Sequence, residues 1–152
     1  ISAEFPVEGS QSIGLFLKIS SDIERIGDHA MNIAKCAEIL HDENRYFSHE
    51  AIDEIGVLKE LCIHILNELK ITNDDEWNQI VDKVSVLEES IDKTQEQFSI
   101  NQLSRLKEKK CTIENSVVYT KILTDFERIG DHGLNIAEAF YKVKEVISIQ
   151  KN

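Results

Sequence analysis

Proline occurs once in 152 residues, at Pro6, and glycine only six times. So few chain-breaking residues leave little material for the closely spaced turns of an all-β fold. Basic residues are also in deficit, with 17 Lys and Arg against 28 Asp and Glu for a formal net charge of -11. A chain so acidic repels nucleic acid and anionic membrane surfaces, and its expected guests are cations. Cysteine is scarce, odd in number and dispersed at Cys36, Cys62 and Cys111 without a Cys-x-x-Cys pair. That excludes a disulfide framework and a zinc knuckle, and it fits the reducing cytoplasm. No apolar run approaches the roughly 20 residues that a membrane helix needs, so no direct membrane insertion of this chain is expected.

What is present is helical periodicity and a repeat. Glu, Lys, Leu, Ile and Ala recur at helical spacing, which predicts an all-α fold. Phe16, Ile19, Ile23, Ile26, Ala30, Ile33, Ala37 and Leu40 mark one buried stripe on a first helix from about Ser10 to Leu40, after an irregular lead-in containing Pro6. Ser48 is a natural N-cap for a second helix, about His49 to Lys70, with Ile52, Ile55, Leu58 or Lys59, Cys62, Ile65, Leu66 and Leu69 on one face. Thr72, Asn73 and Asp74 make a turn, with Asn73 as the start signal of a third helix. That helix carries Trp77, Ile80, Val84, Leu87, Ile91, Thr94, Phe98, Leu103 and Leu106. A turn at Lys109 to Thr112 leads to a fourth helix, about Ile113 to Ser148, with Tyr119, Ile122, Phe126, Ile129, Gly133, Ile136, Phe140 and Val143 on its stripe. Short connections between long amphipathic helices predict an antiparallel helical bundle of four long helices in a single domain.

Lys18 to Ala34 matches Lys121 to Ala137 at twelve of seventeen positions. Within each copy a Glu and an Asp stand four residues apart, as Glu24 with Asp28 and as Glu127 with Asp131. Residues at this spacing share a helix face, close enough to hold one hard cation or flank a cluster. Glu88 and Asp92 repeat the spacing on the third helix. A single acidic pair on an acidic helix is ordinarily a solvated face. Here the pair recurs in an identical context, and like charges at this spacing cost a few tenths of a kcal/mol unless a cation relieves them. Antiparallel third and fourth helices would bring Glu88, Asp92, Glu127 and Asp131 to one patch. Oxygen-only donors favour iron, manganese, magnesium or calcium over zinc or copper. Glu24 and Asp28 lack a middle-helix partner in this chain. Arg25 and Arg128 fit surface ion pairs, Gly27 and Gly130 permit close helix approach, and Asn32 and Asn135 suit bonds between helices. His29 and His132 are read as packing or capping groups.

An enzyme is not expected. A ferritin-like di-iron site needs Glu-x-x-His on two helices, and only Glu38 to His41 has that spacing. No nucleophile and base set or glycine-rich phosphate loop is evident.

The stretches Asp22-Ile-Glu-Arg-Ile-Gly-Asp-His-Ala-Met-Asn-Ile-Ala and Asp125-Phe-Glu-Arg-Ile-Gly-Asp-His-Gly-Leu-Asn-Ile-Ala resemble the signature of the PhoU family of phosphate-transport regulators. The resemblance implies two three-helix units, each ending in a helix with this motif, and multinuclear iron or other metal on the paired acids Glu88, Asp92, Glu127 and Asp131, with Glu24 and Asp28 as the first copy. On that basis residues 1–152 form one N-terminally incomplete domain: 10–40 is the last helix of the first repeat and 49–148 a complete second repeat. Gln102-Leu-Ser-Arg-Leu-Lys followed by Cys111 resembles the PhoU-like C-terminal region of bacterial Na/Pi-cotransporter family proteins. The implied role is metal-dependent regulation of phosphate uptake at the cytoplasmic face of the inner membrane, through contact with a phosphate transporter or the chain's own membrane domain. The alternative is a metal-free interaction module that makes a homodimer through the first helix.

Overall fold

The computed structural model describes residues 7–70, 77 and 79–150, and the described residues are overwhelmingly helical. Four helices follow in order: α1 Val7–Asp42, α2 His49–Glu68, α3 Ile80–Lys107 and α4 Ile113–Gln150. The expected bounds hold to within three residues at each described end. The Thr72 to Asp74 turn and its Asn73 start signal lie outside the described residues, as does Pro6. α3 begins at Ile80 after Gln79, which offers no side-chain cap, and Trp77 precedes the helix and packs edge-on against Phe140 of α4 at 5.4 Å.

Capping chemistry sets two of the starts. Ser48 Oγ accepts from the Ala51 amide at 3.3 Å, and Thr112 Oγ1 accepts from the Asn115 amide at 3.2 Å. Each satisfies an amide that has no partner within its own helix. Two ends close through a residue in the left-handed region, Asn44 at φ 51° and Lys109 at φ 57°. The amides that follow reach back to complete the last turn, Arg45 to the Leu40 carbonyl at 2.8 Å and Lys110 to the Arg105 carbonyl at 2.9 Å. Asparagine tolerates that conformation, whereas lysine carries a steric cost there.

α4 is the centre of the bundle and packs against each of the other three helices, while α2 also packs on α3. Residue pairing fixes the directions. Ile65 meets Gly133 and Cys62 meets Phe126, so α2 runs parallel to α4, whereas Arg105 over Tyr119 and Ile91 over Gly130 make α3 antiparallel to it. The core joins Leu58, Cys62 and Ile65 of α2 to Ile80, Val84 and Ile91 of α3 and to Tyr119, Ile122, Leu123, Phe126 and Ile129 of α4. Burial pushes the Cys62 thiol up to about 12, so it behaves as a small apolar side chain whose S–H donates to the Phe126 carbonyl at 3.4 Å.

One polar network crosses this core. Arg105 donates to both Glu54 oxygens, at 3.1 and 2.6 Å, and Asn101 donates to Glu54 at 2.7 Å. The fully buried Tyr119 hydroxyl also donates to Glu54, and the Arg105 guanidinium lies 5.1 Å from its ring centre. Burial pushes the Glu54 carboxyl upward, but the bonds from Arg105, Tyr119 and Asn101 outweigh it and hold the group below the ordinary glutamate range.

Several expected core positions are corrected. On α1, Phe16 and Ile23 are 53% and 57% exposed and Ala30 and Ala37 also face outward, while Ile19, Asp22, Cys36 and Leu40 are buried. Among the described residues α1 packs against α4 and against neither α2 nor α3, so it has a narrow contact stripe and a second apolar face with no neighbour among them. On α2, Ile52 and Leu66 face outward and Ala51 turns in. On α3, Leu103 is exposed and Gln102 is buried, because the Gln102 amide is satisfied on both sides by Arg105 Nε at 2.9 Å and Cys111 Sγ at 3.3 Å. The α4 stripe is inward throughout, as its periodicity predicts.

Candidate metal centre

The two halves of the site are brought together by a missing side chain. Gly130 of α4 faces Ile91 of α3, and a β-carbon there would stand 3.1 Å from Ile91 Cδ1. The absence of that carbon lets the helices close, and the acids on either side of this contact converge. One carboxylate oxygen from each of Glu88, Asp92 and Asp131 lies within 4.8 Å of the other two. Two oxygens on opposite sides of one hard cation, at about 2.0–2.6 Å from it, are separated by about that distance, so the donor set fits iron, manganese, magnesium or calcium. Glu127 borders the same patch.

Electrostatics show the strain of this arrangement. Burial, then the charges of Asp92, Asp131, Glu89 and Glu127, push the Glu88 carboxyl above its ordinary range. Burial and Asp131 raise Asp92 against the pull of Arg128, and burial, Asp131 and Asp92 raise Glu127 against the same arginine. Arg128 supplies partial compensation from one side, with Nη1 3.0 Å from Asp131 and Nε 3.9 Å from Glu127. Its counterpart Arg25 stands 3.8 Å from Asp28, so both arginines form the surface pairs their spacing predicts.

The first copy of the acidic pair is placed differently. Glu24 and Asp28 are exposed on the outer face of α1, and among the described residues no third acid closes on them. Among the described residues, nothing lies within 4 Å of where a β-carbon on Gly27, the equivalent of Gly130, would be.

A second constellation joins the two repeats. His29 Nδ1 is 2.7 Å from Asp125 Oδ1 and His132 Nδ1 is 2.8 Å from Asp22 Oδ1, so each histidine pairs with the aspartate of the other copy. The two rings stack at 5.7 Å. Asn32 Nδ2 adds a bond to Asp125 at 3.3 Å, whereas Asn135 makes no such bond to Asp22 among the described residues. The exchange makes α1 and α4 antiparallel and sets the rotation of α1. The sequence signal was available: the Asp and the His of each copy stand seven residues apart, two helical turns on one face.

Comparison with known proteins agrees with this architecture. The profile of the PhoU domain matches residues 3–37 and 52–140. The chain belongs to the PhoU family. It is 30% identical over 128 residues, 80% of its length, to the phosphate-specific transport system accessory protein PhoU homolog 1 of Thermotoga maritima, of which it covers 52%. It is 31% identical over 122 residues to the PhoU homolog of Xylella fastidiosa strain 9a5c, covering 80% of this chain and 50% of that protein. With the homolog of Clostridium acetobutylicum it shares 26% over 136 residues, 87% of this chain and 59% of that one. The chain thus spans about half the length of the curated relatives it matches. No solved structure gives a significant match.

Proposed function

We propose that this PhoU chain is a metal-binding regulatory module of a phosphate transport system, acting through protein contacts rather than catalysis. The observation that carries the metal reading is the meeting of Glu88, Asp92 and Asp131 oxygens within 4.8 Å at a helix contact. Glu127 completes the set, and the cation is iron, manganese, magnesium or calcium. Glu24 and Asp28 are half of an equivalent site that another acidic helix would complete over Gly27. The match to proteins named as phosphate-specific transport accessory proteins supports the regulatory role. The partner is a phosphate transporter or the chain's own membrane domain, as in a Na/Pi-cotransporter family protein, and the location is the cytoplasmic face of the inner membrane.

Elemental analysis of the purified chain tests this reading. Metal at stoichiometric level in the parent that is absent from the Glu127→Ala, Asp131→Ala variant supports it, and equal metal in both overturns it. A second reading, a metal-free module that dimerises through α1, is favoured by the apolar face that includes Leu17, 67% exposed, and Met31, 57% exposed. Metal-free chain that sediments as a dimer, and returns to monomer on Leu17→Lys with Ile23→Lys, supports that alternative.

A further inference from the structure

A cation that bears on the acidic patch is built into the chain itself. Arg128 stands one residue after Glu127 and three before Asp131, so it shares a helix turn with both. Its Nη1 donates to Asp131 Oδ2 at 3.0 Å, and its Nε lies 3.9 Å from Glu127. Its charge also pulls on the Asp92 carboxyl across the α3–α4 contact. Lys93, next to Asp92 in the sequence, is turned away to Glu89 at 2.8 Å. Three of the four acids therefore share one guanidinium.

This ion pair can open. The Arg128 side chain is 53% exposed against 32% for Asp131 and 27% for Glu127, and a single hydrogen bond ties it to Asp131. The guanidinium can turn to water without being stranded, and exposed pairs of this kind contribute little to stability. Arg105 is the contrasting case. It is 13% exposed and holds both oxygens of Glu54, so its release would leave a buried carboxylate unpaired. A divalent ion drawn to Glu88, Asp92 and Asp131 meets the detachable arginine: it is repelled by a like charge and competes with it for the Asp131 carboxylate.

We infer that Arg128 is the resident counter-cation of this site, which a metal ion must displace from Asp131, so that the arginine lowers the affinity of the site and metal binding frees its guanidinium. The inference rests on the metal reading of Glu88, Asp92, Glu127 and Asp131, and adds to it a competitor carried by the same helix turn. Removing that competitor has two effects of opposite sign. The metal-free fold loses an attraction, while the metal loses a rival. A merely structural role for Arg128, holding Asp131 in place for the ion, would make both effects unfavourable.

Isothermal titration of metal-stripped chain with Mn²⁺ at neutral pH and low salt tests it, beside thermal unfolding of the same samples without metal. Arg128→Gln should bind Mn²⁺ about tenfold more tightly than the parent, the effect of one unit charge about 6 Å from a divalent ion in a water-like medium. It should also melt below the parent when metal-free, with an unchanged circular dichroism spectrum at room temperature. Arg128→Lys, which keeps the charge, should stay close to the parent in affinity. The gap between parent and Arg128→Gln should narrow in high salt, where exposed charges are screened. Equal or weaker Mn²⁺ binding by Arg128→Gln, or equal tightening by Arg128→Lys, overturns the inference and leaves the metal reading standing. No Mn²⁺ binding by the parent or by either variant overturns both.

Discussion

Three glycines on repeated helices provide a controlled test of packing. Each sits mid-helix, where Gly→Ala gains about 1 kcal/mol of helix propensity. At Gly27 a new methyl meets nothing within 4 Å, so the variant should realise that gain in full. At Gly130 the methyl stands 3.1 Å from Ile91 Cδ1, the end of a flexible side chain that can move by a few tenths of an ångström, and the two effects should nearly cancel. At Gly133 it stands 2.4 Å from Ile65 Cγ2, on a fully buried β-branched side chain with few rotamers. Overpacking of this kind costs about 1–3 kcal/mol, so after the propensity gain Gly133→Ala should be destabilising by up to about 2 kcal/mol. Urea unfolding followed by circular dichroism gives all three values, and the expected order of stability is Gly27→Ala, then Gly130→Ala, then Gly133→Ala. Equal destabilisation at Gly27 and Gly133 would refute the reasoning, because it would mean that the outer face of α1 is covered in the isolated chain.

Further predictions concern the charged groups. In metal-free chain the raised Glu88 and Glu127 carboxyls resist ionisation in the folded state, so their contribution is greatest below the ordinary carboxylate range and declines as pH rises through it. Glu88→Gln should therefore raise the neutral-pH Tm of metal-free protein, by the equivalent of a few tenths of a kcal/mol. A site filled at a hundred times its Kd should add about 2.7 kcal/mol in the parent and far less in that variant. Glu54 has the opposite sign: held low in the fold, it contributes above the unfolded glutamate range and that contribution is lost as pH falls through its depressed folded value. Arg105→Ala, which leaves the Glu54 charge buried and unpaired, should cost about 3–5 kcal/mol in chemical denaturation. Lys109→Gly should gain about 1 kcal/mol in the same assay by relieving the left-handed backbone at φ 57°.

Where the fold was legible in the sequence, one period dominated. α4 touches three neighbours, so its apolar stripe is broad and its inward set reads directly from spacing. α1 has almost the same sequence over its repeated stretch but a single neighbour among the described residues, and Phe16 and Ile23 face out where their counterparts Tyr119 and Phe126 face in. Periodicity names apolar faces and is silent on which of them finds a partner. The approach of Glu88, Asp92 and Asp131 was visible because a helix fixes the direction of residues one turn apart. The Glu54, Arg105 and Tyr119 network was not, since its members come from three helices with no shared spacing. Asp22 and Asp125 do not read as interior from the sequence, because a charged residue is rarely expected at a buried position.

The exchanged aspartate and histidine couples make α1 and α4 slide as a latch rather than as a continuous track. A displacement of one helical turn along their common axis would part His29 from Asp125 and His132 from Asp22 in the same movement, stranding two carboxylates in a dry contact. Intermediate positions are therefore penalised at both couples together, and the two repeats can only be locked in register or separated.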